Sequence, residues 1–229
     1  CIGVAIKRGR PASMAAAMNL YIGCVGTRFL PGVKESIGAA AEAWQQAGMG
    51  TATVAVQLDL CARPHQGLGA MRNMLVMHAR AMRPRPRYIV LLDNDVRLDD
   101  PLMLAGAAEK LEAMVEPAAF VPRLVKGWEG PPESATLQSP SAVQGWGNLD
   151  WAVVACAMFR EDAFDLAGER AFTDHLIYCE DQYVWTWFRR RGVELWQHHG
   201  LTATLLRPPT PLWDLSPTEI RKPEIWAKP

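Results

Sequence analysis

Neither charge is in surplus in this sequence: 24 basic and 24 acidic side chains leave a formal net charge of zero. That balance favours neither a polyanion nor an acidic membrane surface as partner. A cysteine framework is missing too. The five cysteines, Cys1, Cys24, Cys61, Cys156 and Cys179, are an odd number, form no CxxC pair and show no metal-ligand spacing. The expectation is a reducing, cytoplasmic compartment. No apolar run approaches the ~18 residues of a membrane span, and the N-terminal stretch lacks the charged, apolar and cleavage regions of a signal peptide. Repeats and low-complexity blocks are absent.

Apolar bulk, by contrast, is plentiful. Hydrophobic residues make up 49% of 229 positions, enough for one sizeable core. Ile2 to Ile6 reads as a short strand, "KRGRP" as a loop, and "ASMAAAMNLYIG" (12–23) as a helix of strong helix formers. "GVKESIGAAAEAWQQAG" reads as a helix closed by Gly48, and "TATVAVQLDL" as a β-branched strand. "HQGLGAMRNMLVMHARAM" is a glycine turn and a helix stopped by Pro84 and Pro86; Tyr88 to Leu92 is then a strand buried on both faces. A helix opened by Pro101 and a strand at "AAFVP" follow.

From Lys126 to Asn148 the chain is rich in Gly, Pro and Ser without periodicity, and a loop of this length is expected to act as an active-site flap. "WAVVACAMF" reads as a strand, "REDAFDLAG" as a short helix, "EDQYVWTWFRRRG" as a helix ended by Gly192, and "VELWQHH" as the last strand. Alternating strands and helices predict a Rossmann-like α/β sandwich with a mainly parallel central sheet flanked by helices. The catalytic domain is expected over 1–206, with a proline-rich tail over 207–229.

In such sheets ligands bind beyond the carboxyl ends of the strands. There "YIVLLDNDV" delivers Asp93 and Asp95, one residue apart. A carboxylate costs free energy when it leaves water unpaired, so two of them at one strand end suit a hard divalent cation, Mg²⁺ or Mn²⁺. The same three residues, Asp93-Asn94-Asp95, equally suit a tight turn. Spacing alone leaves both readings open.

Four ordered segments resemble the family 2-like glycosyltransferases of the GT-A fold. "HQGLGAMRNMLVMHA" is similar to the family's glycine and Ala-Arg-Asn helix, and "YIVLLDNDV" to its D-x-D strand. "WAVVACAMFREDAFDLAG" and "YCEDQYVWTWFRRRGVELW" are similar to the two segments that follow in the family's order, the second carrying its Glu-Asp pair. The match spans roughly residues 2–196. The resemblance implies a metal-dependent, hexosyltransferase-like enzyme that moves a sugar from a nucleotide-sugar donor to an acceptor hydroxyl, with Mn²⁺ or Mg²⁺.

Residue by residue, it implies that Asp95 binds the metal and that Asp93 contacts the ribose or a metal-bound water. Asp59 is implied to accept hydrogen bonds from the base or ribose, although "LDLCARP" departs from the family's acidic continuation; a cap is its plainer role. Asp181, with Glu180 beside it, is implied as general base, since an attacking hydroxyl must lose a proton; two acids opening a helix also favour its positive end. The departing diphosphate calls for cations: Arg72, Lys7, Arg8 and Arg10. His198 and His199 are expected near the metal, although the family's C-terminal histidine falls where Thr204 and Leu205 stand here. Trp128, Trp146 and Trp151 can cover sugar faces, while Trp185, Trp187 and Trp196 read as core.

A single displacement suits a free carboxylate base, so inversion is expected. The acceptor is expected to be a saccharide or, as second choice, a hydroxylated base in phage-type DNA, with the arginines at 8, 10, 80, 83, 85, 87 and 189 to 191 as a local basic face. Two alternatives stand beside this reading. One is a sugar-nucleotide-binding module without turnover. The other is a phosphatase with Asp93 as nucleophile, for which Arg97 stands where Thr or Val belongs and no GDxxxD segment follows.

Overall fold

The structure, a computed structural model, describes residues 18–26, 29–57, 68–127, 145–150, 152–168, 170–172 and 180–206. The expected strand at residues 2–6, the "KRGRP" loop, Asp59, most of the expected flap and the tail over 207–229 lie outside these residues.

A seven-stranded sheet organises the chain in the order β2-β1-β3-β8-β5-β9-β7. Its strands are β1 (Leu20–Val25), β2 (Ala52–Gln57), β3 (Tyr88–Asp93), β5 (Ala118–Phe120), β7 (Trp146–Asn148), β8 (Cys156–Arg160) and β9 (Glu194–His198). β2, β1 and β3 run parallel, and β5 and β9 run with them; β8 and β7 are reversed. The mainly parallel α/β sandwich is therefore the observed architecture. A second sheet, β4-β10-β6, joins β4 (Val96–Leu98), β10 (Thr202–Leu205) and β6 (Arg123–Lys126).

Two expectations change here. The helix expected over 12–23 gives way to a strand from Leu20, because Tyr21, Ile22 and Val25 favour extended backbone and the segment is buried along its whole length. Helix propensity is a weak prior that pairing on both sides overrides. Strand β9 is also not the last, since β10 follows it. At the margins of the expected flap, Lys126 ends β6 and Trp146–Asn148 forms β7, so both ends of that stretch belong to sheets.

Helices cover both faces of the large sheet. On one side lie α1 (Val33–Gln46) and α3 (Met103–Glu112), whose Ile37, Trp44, Leu104 and Leu111 pack on Leu20, Ile22, Val90 and Leu92. On the other lie α2 (Leu68–Ala81), α4 (Ala163–Ala167) and α5 (Glu180–Arg189). There Met71, Leu75, Phe164 and Phe188 pack on Tyr21, Ile89 and Leu91. Alternate residues of β1 and β3 enter opposite cores, which is why both strands read as unbroken apolar runs. Each such large side chain removed from water stabilises the fold by roughly 1.5–3 kcal/mol.

The amino-terminal edge of β3 is closed by charge. Tyr88 Oη donates to Glu112 Oε1 at 2.6 Å, and Arg87 reaches both Glu112 oxygens at 2.8 and 3.4 Å. Burial pushes the Glu112 carboxyl upward, but the hydrogen bonds from Arg87 and Tyr88 outweigh it and hold the group below its ordinary 4.5. A carboxylate depressed in the folded state adds stability at neutral pH that is lost as pH falls from the unfolded value through the folded one. Denaturant midpoints measured from pH 7 down to pH 3 are expected to fall more steeply in the wild type than in Glu112→Gln. Parallel curves would remove Glu112 from the acid response.

Candidate active site

Strand β3 ends on Asp93, the chain turns at Asn94 and Asp95, and β4 begins at Val96. The turn and the strand end are one feature. Its backbone is held from four directions. Asp93 N–H donates to Ala155 O at 2.8 Å, Asn94 N–H to Val25 O at 3.0 Å, Leu30 N–H to Asn94 O at 3.0 Å, and Leu206 N–H to Asp95 O at 2.8 Å. The acidic pair is thus fixed by β1, by the run into β8, by the approach to α1 and by the exit of β10.

Arg72 lies beneath this turn. Its side chain is 1% exposed, and its Nη2 donates to Asp93 Oδ1 at 2.9 Å and to Val154 O at 3.2 Å. The resemblance implies a cation facing the diphosphate. In the structure Arg72 instead neutralises and orients Asp93 from the interior, because its place on the buried face of α2 points it at the sheet rather than at solvent. The next residue, Asn73, also grips a distant segment. Its Nδ2 donates to Phe172 O at 2.6 Å, and its Oδ1 accepts from Phe172 N–H at 3.0 Å. Adjacent residues of one helix therefore hold the acidic turn and the backbone that precedes α5.

Two thiols line the ground under the turn. Cys24, Leu92 and Cys156 form one row across β1, β3 and β8. Burial, then the charges of Asp93 and Asp95, push the Cys24 thiol up to about 12. Cys156 is raised by burial, by Asp93 and by Cys24. Burial and the neighbouring carboxylates thus favour the neutral thiol at both positions.

Gly26, just past β1, touches the turn most closely. A Cβ there would lie 2.2 Å from Asn94 Cγ and 2.5 Å from its Cβ, and φ is +144°. Only glycine leaves room for the buried Asn94 side chain. No sequence pattern announces this contact.

The expected metal shell of Asp93, Asp95, His198 and His199 is not assembled. Strand β9 stands three places from β3, about 14 Å at ~4.8 Å per strand. The His198 ring is engaged there: its Nδ1 accepts from Gly200 N–H at 3.1 Å and its face meets Trp146 at 4.9 Å. Burial, with His199 nearby, holds its imidazole below the usual 6.5. His199 N–H donates to Gly145 O at 3.0 Å, so this pair fastens β7 to the sheet edge. Among the described residues no group of three or more His, Cys, Asp or Glu side chains could hold a metal.

The remaining expectations divide as follows. Glu180 and Asp181 are the first two residues of α5. Asp59, Lys7, Arg8, Arg10, Trp128 and Trp151 lie outside the described residues. Trp146 packs against Phe120 at 5.7 Å and His198, and Trp185 is buried with Nε1 on Ala152 O at 2.6 Å. Of the expected basic face, four of the seven described arginines are paired with acids of the chain. Arg80 pairs with Glu161 and Asp165, Arg85 with Glu161, Arg87 with Glu112, and Arg189 with Asp150; Arg191 lies over the Trp187 ring.

No helix among the described residues is long and apolar enough to cross a membrane. No family model and no curated protein sequence matches the chain. Solved structures do. The chain is similar to the first 349 residues of S. aureus TarS in complex with UDP-GlcNAc, at 11% identity and TM-score 0.54, over 87% of this chain and 61% of that one. It is similar to the catalytic domain of Drosophila β1,4-galactosyltransferase 7 in complex with xylobiose, at 10% identity and TM-score 0.53, over 83% and 71%. A third likeness is to GalNAc-T7 with UDP, GalNAc and Mn²⁺, at 8% identity and TM-score 0.52, over 82% of this chain and 44% of that one. The chain thus spans less than two thirds of the TarS piece and of GalNAc-T7. These likenesses show the architecture: this chain has the GT-A fold.

Proposed function

We propose that this protein is a glycosyltransferase that takes a sugar from a nucleotide-sugar donor and places it on an acceptor hydroxyl. The observation that carries the reading is the clamped Asp93-Asn94-Asp95 turn at the carboxyl end of β3, where a parallel sheet binds its ligands. Neighbours of the same fold supply context: one structure holds UDP-GlcNAc, and another holds UDP, GalNAc and Mn²⁺.

The residues fit a hard cation that arrives with its substrate. Mg²⁺ and Mn²⁺ sites of this kind use one or two protein carboxylates and take their other oxygens from phosphates and water. Asp95 is the carboxylate that fits this use, with Asp93 held beside it by Arg72. The ion would neutralise charge on the departing diphosphate. Asp93 is assigned to the ribose or to a water that the ion would hold, and Asp59 to the base. Asp181, at the start of α5, removes the acceptor proton as the new bond forms, with Glu180 beside it. A free carboxylate base in that role suits a single displacement with inversion. Lys7, Arg8 and Arg10 add positive charge at the diphosphate. A saccharide is the favoured acceptor, since four of the seven described arginines a DNA face needs are paired with acids of the chain.

The test is a melting-temperature panel of UDP-, GDP-, dTDP- and CMP-sugars, each with and without Mn²⁺, on wild type and Asp95→Ala. One nucleotide class should raise the wild-type melting temperature with Mn²⁺, and the rise should vanish in the variant. A panel flat for every nucleotide would overturn the donor assignment.

A further inference from the structure

The strand leaving the acidic turn carries a cation that no role above uses. In β4, Val96 and Leu98 enter the core while Arg97 faces outward, as does Asp99 just past the strand. Arg97 stands opposite Thr204 of β10. Thr204 Oγ1 donates to Asp99 Oδ1 at 2.7 Å, and Arg97 Nη2 lies 3.5 Å from that oxygen and 3.4 Å from the hydroxyl. The aliphatic stem of Arg97 passes Gly32, where an added Cβ would lie 3.6 Å from Cδ. Arg97 follows Asp95 by two positions in the chain, and its guanidinium spends little of itself. Only Nη2 is engaged, both contacts are long, and the side chain is 47% exposed. Nε–H and Nη1–H have no partner among the described residues. An arginine serving only to fasten two strands would bring its fork to about 2.7–2.9 Å on a carboxylate.

Charge at the turn points the same way. Arg72 is buried against Asp93 at 2.9 Å with its side chain 1% exposed, whereas the Arg97 side chain is open to solvent. A diphosphate beside Asp95 gains a further negative charge as the sugar leaves. We propose that Arg97 is the residue that binds a phosphoryl oxyanion beside Asp95, presenting the donors that Asp99 and Thr204 leave unused. The assignment rests on the glycosyltransferase reading above and names a substrate-positioning residue for it. The oxyanion belongs either to the donor diphosphate or to a phosphorylated acceptor.

Calorimetric titration of the full chain separates these cases. Inorganic pyrophosphate, UDP, GDP and dTDP are titrated in EDTA and again in Mn²⁺, for wild type, Arg97→Lys, Arg97→Gln and Asp99→Asn. Arg97→Gln should weaken pyrophosphate and the bound nucleotide by about tenfold under both conditions. Arg97→Lys should recover part of the loss, since charge survives without the fork. Asp99→Asn should retain binding. Displacement of pyrophosphate by the nucleotide assigns the oxyanion to the donor; simultaneous binding assigns it to the acceptor. Wild-type affinity in Arg97→Gln would overturn the role of Arg97 and leave the glycosyltransferase reading standing. A wild type that binds neither pyrophosphate nor any of these nucleotides would overturn the role of Arg97 and, together with a flat melting panel, the glycosyltransferase reading.

Discussion

Asp181→Asn is expected to lower sugar transfer by about 10²- to 10⁴-fold while donor affinity stays at the wild-type level. The acceptor hydroxyl is a poor nucleophile until its proton leaves, and the amide of Asn cannot accept that proton at neutral pH. Shape and size are nearly retained, so binding and stability should not change. Asp181 is the second residue of α5, and Asn73 holds the chain at Phe172 just upstream. Turnover and donor dissociation constants, measured on the same preparation with the donor that the melting panel identifies, decide the matter. Unchanged turnover removes Asp181 from the chemistry. Loss of turnover together with loss of donor binding makes it a donor-site residue instead.

Gly26→Ala is expected to destabilise the fold by about 2–5 kcal/mol, combining an overpacked core with a strained backbone. At φ +144° an alanine is disfavoured before any contact is counted, and its Cβ would fall 2.2 Å from Asn94 Cγ. Asn94 has little room to retreat, because it is 6% exposed and its backbone is bonded to Val25 and Leu30. The collision therefore reaches Asp93 and Asp95, and nucleotide binding should fail with stability. A double-mutant cycle isolates the cause. Adding Asn94→Gly to Gly26→Ala should return the part of the loss due to the collision and leave the part due to φ. Additive effects of the two substitutions would show that Gly26 and Asn94 do not interact.

Part of the site is legible in the chain alone. Asp93 and Asp95 can be placed at a strand end because β3 is an unbroken apolar run, and such a run is buried on both faces. The helix bearing Arg72 and Asn73 is legible from its apolar spacing and its proline stop. What Arg72 does there is not. A guanidinium near a diphosphate site reads as a phosphate ligand, and only the helix's rotation against the sheet turns it inward onto Asp93 and Val154 O. His198 and His199 stand away from the acidic turn for a related reason. Their place in the chain says that they end a strand, but the distance from β9 to β3 depends on strand order, which inserts β8 and β5 between them.

Neighbouring residues are enough to specify α1, β2, α2, β3 and α3, the acidic turn and the helix that opens with Glu180 and Asp181. Each of these is written locally, through burial period, capping and turn chemistry. Features that depend on residues far apart in the chain emerge only when it folds. The small sheet joins Val96–Leu98, Arg123–Lys126 and Thr202–Leu205, segments too short to show a period of their own. The Gly26 and Asn94 contact, the Arg72 and Asp93 pair and the Arg97, Asp99 and Thr204 cluster arise the same way. Backbone pairing and packing across dozens of residues bring these groups together, and no local pattern encodes a distance in space.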